Sequence, residues 1–197
     1  MITLNTNPFP CFIAKDFYNK TELELIWEEL NFYTRPEKLL DAKDYGGVVD
    51  STNAKALCLD SLYNDRNISN ILRVNRKIFS EDIKKSFSKL HDCCETFLDI
   101  NRDETKVRYY HNGDYYKPHI DARYQFVAFT YFYREPKRFS GGELVFPKYN
   151  YEFPCYNNSI IIFPGWVEHG VREVSIENSD YYDGWGRYCI SSFLDVN

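Results

Sequence analysis

His119-Ile120-Asp121 places an imidazole and a carboxylate two residues apart. If that stretch is a strand, alternation turns both side chains to one face, where they can ligate one metal. A third donor, His169, follows the apolar run Ile160-Ile161-Ile162-Phe163 and the turn Pro164-Gly165. Two imidazoles and one carboxylate form a facial set that suits a redox-active iron and leaves positions open for other ligands. An H-x-D tripeptide by itself is common, and alone reads more often as ordinary surface or core residues.

Arg187 opens the run Arg187-Tyr188-Cys189-Ile190-Ser191-Ser192-Phe193, in which alternation puts Arg187, Cys189, Ser191 and Phe193 on one face. An inward guanidinium needs an anionic partner. Either an acid of the chain such as Asp180 or Asp183 supplies it, or a bound molecule does. In the second case a dicarboxylate chelates the metal at one end and meets the guanidinium fork at the other, and 2-oxoglutarate has that shape.

These side chains require a frame. The 197 residues suit one domain, 1–197, large enough to bury a core without disulfides. Hydrophobic residues at 44% and charged residues at 27% fit a globular chain. Seventeen Tyr and fifteen Phe point to a strand-rich interior. Residues 1–100 read as a mostly helical support after a short strand around Cys11-Phe12-Ile13. A helix is predicted near 21–33, with Thr21-Glu22-Leu23-Glu24 as capping box. Loops punctuated by Gly46-Gly47 follow. Two amphipathic patterns come next, one through Ile71, Leu72, Val74 and Ile78, the other through Ile83, Phe87, Leu90 and Cys94. From 105 to 197, strands are predicted at 106–110, 125–133, 143–146, 159–163 and 187–194. The fold class expected is α+β, mainly β: an antiparallel sandwich or jelly roll backed by N-terminal helices.

A net charge of −5 disfavours nucleic acid as a partner. No apolar run approaches a membrane span, and the first residues lack a signal-peptide pattern. No membrane partner and a cytoplasmic location are expected. The six cysteines contain no C-x-x-C pair and read as free thiols of a reducing compartment.

Five motifs in order resemble the prolyl 4-hydroxylase branch of the iron(II)/2-oxoglutarate dioxygenases, over about 107–193. They are Arg108-Tyr109-Tyr110-His111-Asn112-Gly113-Asp114, then His119-Ile120-Asp121, then Ser140-Gly141-Gly142-Glu143-Leu144-Val145-Phe146-Pro147, then Ser159-Ile160-Ile161-Ile162-Phe163-Pro164 leading to His169, and lastly Arg187. The resemblance implies a double-stranded β-helix, with His119, Asp121 and His169 as iron ligands and catalytic centre. It further implies Arg187 on the distal carboxylate of 2-oxoglutarate, with Tyr110 and Tyr131 in the co-substrate pocket. Gly141-Gly142 would be a structural turn. The collagen-type enzymes use Lys where this chain has Arg187, which is closer to the hypoxia-inducible-factor prolyl hydroxylases. The segment 177–186 is longer than in relatives and is expected near the pocket mouth.

By the same resemblance, Fe(II), 2-oxoglutarate, molecular oxygen and ascorbate are the implied cofactors and co-substrates, and a prolyl residue in a peptide or protein is the implied substrate. The reaction would be hydroxylation of an unactivated C–H bond. Phe129, Ile160, Ile162 and Phe193 are expected to form the apolar rim, and Arg123, Arg134, Arg172 and Trp166 are candidate substrate contacts. The competing readings are a hydroxylase of a free amino acid or other small molecule, a catalytically silent jelly-roll binding module, and a cupin. A cupin usually needs more histidines per site than the four of this chain offer.

Overall fold

The computed structural model describes residues 2–45, 50–177 and 180–197. The Gly46-Gly47 punctuation lies outside the described residues. The chain begins with β1 (Ile2–Asn5), β2 (Cys11–Lys15) and the helix α1 (Lys20–Tyr33). The capping box of α1 uses Asn19 and Glu22 rather than Thr21 and Glu24. Asn19 Oδ1 accepts the Glu22 N–H at 3.0 Å, and Glu22 Oε2 accepts the Asn19 N–H at 2.8 Å. Asn is the stronger N-cap, so the same pattern two residues earlier wins.

After β3 (Lys55–Cys58) come three short helices, α2 (Leu59–Leu62), α3 (Asn70–Asn75) and α4 (Glu81–Ser88). Each predicted amphipathic pattern divides: Ile78 and Cys94 fall in 3-10 turns, Arg76–Phe79 and Asp92–Leu98. His91 Nδ1 accepts the Cys93 N–H at 3.2 Å and so starts a new turn where the α4 pattern was expected to continue.

The remaining strands are β4 (Arg102–Tyr110), β5 (Tyr116–His119), β6 (Phe126–Phe132), β7 (Leu144–Phe146), β8 (Tyr151–Phe153), β9 (Ser159–Pro164), β10 (His169–Val171) and β11 (Arg187–Asp195). They form two antiparallel sheets. The major sheet runs β1-β2-β9-β6-β11-β4-β3 and the minor sheet β5-β10-β7-β8. The N-terminal hundred residues are thus more than a helical support, since β1, β2 and β3 supply both edges of the major sheet.

Alternation along the central strands sorts the core into two clusters. Val107, Tyr109, Phe126, Ala128, Ile160, Ile162 and Ile190 pack with Ile26, Leu30, Ile71, Leu72 and Phe87 of the helices. Tyr110, Val127, Phe129, Tyr131, Ile161, Phe163 and Cys189 pack instead with Leu144, Phe146, Phe153 and Val171 of the minor sheet. A strand covered on both faces reads as an unbroken apolar run, as 160–163 does. The fold is mainly β within α+β, two packed antiparallel sheets backed by N-terminal helices. Among the described residues no helix is long and apolar enough to cross a membrane.

Candidate active site

The face of the major sheet turned toward the minor sheet carries the chemistry. On β4 and β11 the facing residues pair across the ladder: Tyr110 with Arg187, Arg108 with Cys189, Lys106 with Ser191 and Glu104 with Phe193. On β6, Tyr131 lies opposite Cys189 and Phe129 opposite Ser191. The minor sheet supplies the other wall, where His119, the last residue of β5, pairs with His169, the first residue of β10.

Strand alternation does not position Asp121. β5 ends at His119, and Asp121 stands in the turn beyond it. Its N–H donates to Gly165 O at 2.9 Å, and its carbonyl accepts the Tyr124 N–H at 2.9 Å. That close approach needs glycine, because a Cβ on Gly165 would lie 2.3 Å from Tyr124 O and 2.8 Å from Asp121 O. The convergence holds by this other route. Ligand atoms of His119, Asp121 and His169 all lie within 4.8 Å of one another. His169 Nε2 is 3.3 Å from Asp121 Oδ2, and His119 Nε2 is 3.9 Å from Asp121 Oδ1.

The hydrogen bonds behind the two rings fix which nitrogen faces inward. His119 Nδ1 lies 2.9 Å from Lys117 O and His169 Nδ1 2.9 Å from Val167 O. A carbonyl only accepts, so each ring protonates at Nδ1 and presents the Nε2 lone pair to the centre, the arrangement that prepares imidazole for a metal. Burial, assisted by neighbouring His169, lowers the His119 pKa to about 4 and keeps that ring neutral. Burial pushes the Asp121 carboxyl up, but His169, His119 and Arg108 outweigh it and hold the group below its ordinary range. His169 Nε2 and Asp121 Oδ2 are buried without a hydrogen-bond partner. A divalent cation fits this donor set.

Arg187 is 1% exposed, with Nε and Nη1 lacking partners. The alternative pairing with an acid of its own loop is overturned. Asp183 lies 3.8 Å from His111 and accepts the Trp185 N–H, while Asp180 accepts the Tyr182 N–H. Tyr110 and Tyr131 both face the guanidinium, each ring centroid 4.6 Å from Cζ. Burial opposes the charge, but the Cys155, Cys189, Tyr131 and Tyr110 side chains around it outweigh burial and hold the Arg187 pKa above its ordinary value. The Tyr131 hydroxyl is likewise buried and unpartnered, and burial drives its pKa well up, so it remains a neutral donor. Gly142, at φ +76°, packs on this arginine, since a Cβ there would meet Arg187 Cδ at 2.7 Å. The polar atoms lacking partners suit one end of a dicarboxylate.

A narrow pocket joins the three potential ligands to Arg187, lined also by Arg108, Tyr110, Tyr116, Phe129, Leu144 and Phe193. Several expected contacts fall elsewhere. Ile160 and Ile162 face the helices, leaving Phe129 and Phe193 of the predicted rim. Arg134 binds Asp183 O and Asn31, and Arg172 pairs with Glu143 and Glu152 outside the pocket. Arg123 is exposed beside Tyr124, and Trp166 is 50% exposed. The described residues of 177–186 do not line the pocket; Tyr181 instead donates to Asp114 Oδ2 at 3.0 Å, and Trp185 packs under Arg138. Asn178 and Ser179 of that segment lie outside the described residues. Arg108 was not singled out from sequence, although the alternation that turned Arg187 inward applies equally two residues before Tyr110.

No curated protein matches the sequence. Among solved structures, a prolyl-4-hydroxylase from Pseudomonas putida superposes with TM-score 0.63 at 14% identity, covering 95% of this chain and 92% of that one. A Trichoplax adhaerens prolyl hydroxylase, solved with a hypoxia inducible factor oxygen degradation domain peptide fragment, gives TM-score 0.62 at 15% identity, covering 94% and 83%. The non-heme alpha ketoglutarate dependent epimerase SnoN from nogalamycin biosynthesis gives 0.59 at 10%, covering 94% and 77%. These likenesses concern the fold. The family model of the 2OG-Fe(II) oxygenase superfamily matches residues 105–195, the stretch that holds every residue of the pocket.

Proposed function

We propose that the protein is an iron(II)- and 2-oxoglutarate-dependent dioxygenase that hydroxylates an unactivated C–H bond, with a prolyl residue of a peptide or protein as substrate. The observation that carries the reading is the set of buried polar atoms lacking partners at two ends of one apolar pocket. Asp121 Oδ2 and His169 Nε2 stand at one end, and Arg187 Nε, Arg187 Nη1 and Tyr131 Oη at the other. Such atoms cost about 1–3 kcal/mol each when left unsatisfied, so a site that keeps them is made for a ligand.

His119, Asp121 and His169 would hold the iron. Bound iron with 2-oxoglutarate and oxygen supplies an oxidative decarboxylation that yields succinate and carbon dioxide and inserts the second oxygen atom into the substrate C–H bond. Arg187 would pair with the distal carboxylate, with the Tyr131 hydroxyl donating beside it and Tyr110 packing on the guanidinium. Phe129, Leu144, Val171 and Phe193 exclude water from the space between. The prolyl assignment rests on the resemblance and on the two prolyl hydroxylases of like fold. The apolar Ile120 stands exposed (54%) next to the triad, suited to contact a peptide.

The test is anaerobic addition of Fe(II) and 2-oxoglutarate. A weak visible charge-transfer band is expected for the wild type and none for His119→Ala. Absence of both the band and succinate formation would leave a silent binding module. Mass spectrometry of proline-containing peptides after turnover then tests the substrate, with a gain of one oxygen expected on proline. Succinate without oxygen gain in any peptide would remove the prolyl assignment and retain the oxygenase.

A further inference from the structure

Arg108 is the second buried guanidinium of the pocket, and the proposed reaction gives it no task. It is 6% exposed, lies on the inner face of β4 opposite Cys189, and stands about 6.5 Å along the strand from Tyr110. It lines both the inner pocket and the outer cleft that adjoins it at Tyr45, Tyr116, Ile120 and Tyr124. Its nearest partners are neutral. Nη1 donates to the Tyr45 hydroxyl at 3.2 Å, and the Tyr45 and Tyr116 rings lie 5.5 and 5.1 Å from its Cζ. Its neighbour on the same face, Lys106, is neutralised by Glu104 at 3.1 Å. Among the described residues Arg108 itself has no carboxylate within ion-pair distance, and burying a charge without a counter-charge is costly.

The charges of the loaded site leave one cation over. A divalent metal, the Asp121 carboxylate, the dicarboxylate and Arg187 sum to zero while His119 is neutral. Arg108 therefore adds an uncompensated positive charge at the junction between the inner pocket and its mouth. A guanidinium fork with aromatic side walls is matched to a planar carboxylate. We propose that Arg108 binds a carboxylate of the substrate, so that the oxidised carbon belongs to a molecule with an anionic group close to it. This rests on the oxygenase reading of the pocket. Two sources share that chemistry: the α-carboxylate of a free amino acid or C-terminal residue, and the side chain of an acidic residue beside the target.

The test is a calorimetric titration of the protein loaded with Mn(II) and 2-oxoglutarate. The probes are L-proline and glycyl-L-proline, their C-terminal amides, and N-acetyl-aspartyl-prolinamide. Wild type is expected to bind at least one carboxylate probe tenfold or more tightly than the matching neutral amide. Preference for L-proline or glycyl-L-proline assigns the α-carboxylate, and preference for the aspartyl peptide assigns the side chain. Arg108→Met is expected to abolish the acid-over-amide preference, Arg108→Lys to restore part of it, and 2-oxoglutarate affinity to move less than threefold in both. A merely structural arginine would not change the acid-to-amide ratio. Equal binding of acids and amides by wild type overturns the proposal, and so does failure of every probe to bind or a tenfold loss of 2-oxoglutarate affinity in Arg108→Met. Succinate formation by wild type with Fe(II) and no probe reports separately on the oxygenase reading, so the two failures are distinguishable.

Discussion

Both pocket histidines donate Nδ1–H to a carbonyl two residues upstream, Lys117 O and Val167 O, and so aim Nε2 at Asp121 before any metal arrives. Preorganisation of this kind removes the cost of choosing a tautomer at the moment of binding. Arg187 has the complementary problem: it is charged, buried and flanked by aromatic rings, with two donors idle. Arg187→Ala is expected to weaken 2-oxoglutarate by about 2–5 kcal/mol, the cost of removing one member of a desolvated charge pair. Metal affinity should stay within a few-fold, because Arg187 touches none of the three ligands. Isothermal titration with Mn(II), then with 2-oxoglutarate, checks both values, and unchanged co-substrate affinity would refute the assignment. At this scale the sequence was informative, since Arg187, Cys189, Ser191 and Phe193 do share one face. The same alternation turns Arg108 inward, but its flanking residues carry no mark that separates it from a solvated surface charge.

Short elements hold these side chains, and the loop between β4 and β5 shows how. Asp114 Oδ2 accepts the His111 N–H at 2.8 Å and the Tyr181 hydroxyl at 3.0 Å, and its carbonyl accepts the Val174 N–H at 2.9 Å. It thereby ties the approach to β5 to the segments on either side of 178–179. Burial pushes its carboxyl up from 3.8 to about 6, against the pull of those two hydrogen bonds and of Lys55. With the folded pKa above the unfolded one, the folded state holds the extra proton between about pH 4 and 6. Stability from this group therefore falls as pH rises through that window. Asp114→Asn keeps an acceptor and cannot ionise. Its stability relative to wild type should rise from about pH 4 to pH 6 and level off above. Urea midpoints across that range measure it, and a pH-independent difference would contradict the shift. The strands β5, β7, β8 and β10 have three or four residues each. Runs that short hold few alternations: β7 is marked mainly by the flanking Gly141-Gly142 and Pro147, β8 and β10 carry no comparable signal, and β5 stops before Asp121. The long strands β4, β6 and β11, seven to nine residues, were legible because alternation and aromatic content persist along them.

For the whole molecule, the pocket lies between two sheets that meet through a shared aromatic core, so its ligands should brace the fold. Mn(II) alone at a hundred times its dissociation constant should add about 2.7 kcal/mol. At about 2–4 °C per kcal/mol for a chain of this size, the melting temperature should rise by about 5–10 °C. Thermal denaturation by circular dichroism checks this: a chelator should reverse the rise, His119→Ala should lack it, and an unchanged midpoint in wild type would argue against a metal site. The amino-acid sequence by itself determined the types and order of the candidate ligand residues, the inward face of β11 and the helical cover, because each follows from neighbours a few residues apart. Tertiary structure alone decided that Asp121 comes beside the two histidines through a turn braced on Gly165, that Ile160 and Ile162 face helices, that β1 to β3 belong to the sheet, and that among the described residues no carboxylate lies within ion-pair distance of Arg108. Those outcomes depend on which distant segments share a surface, and pairings between segments far apart along the chain leave no periodicity in the segments they join.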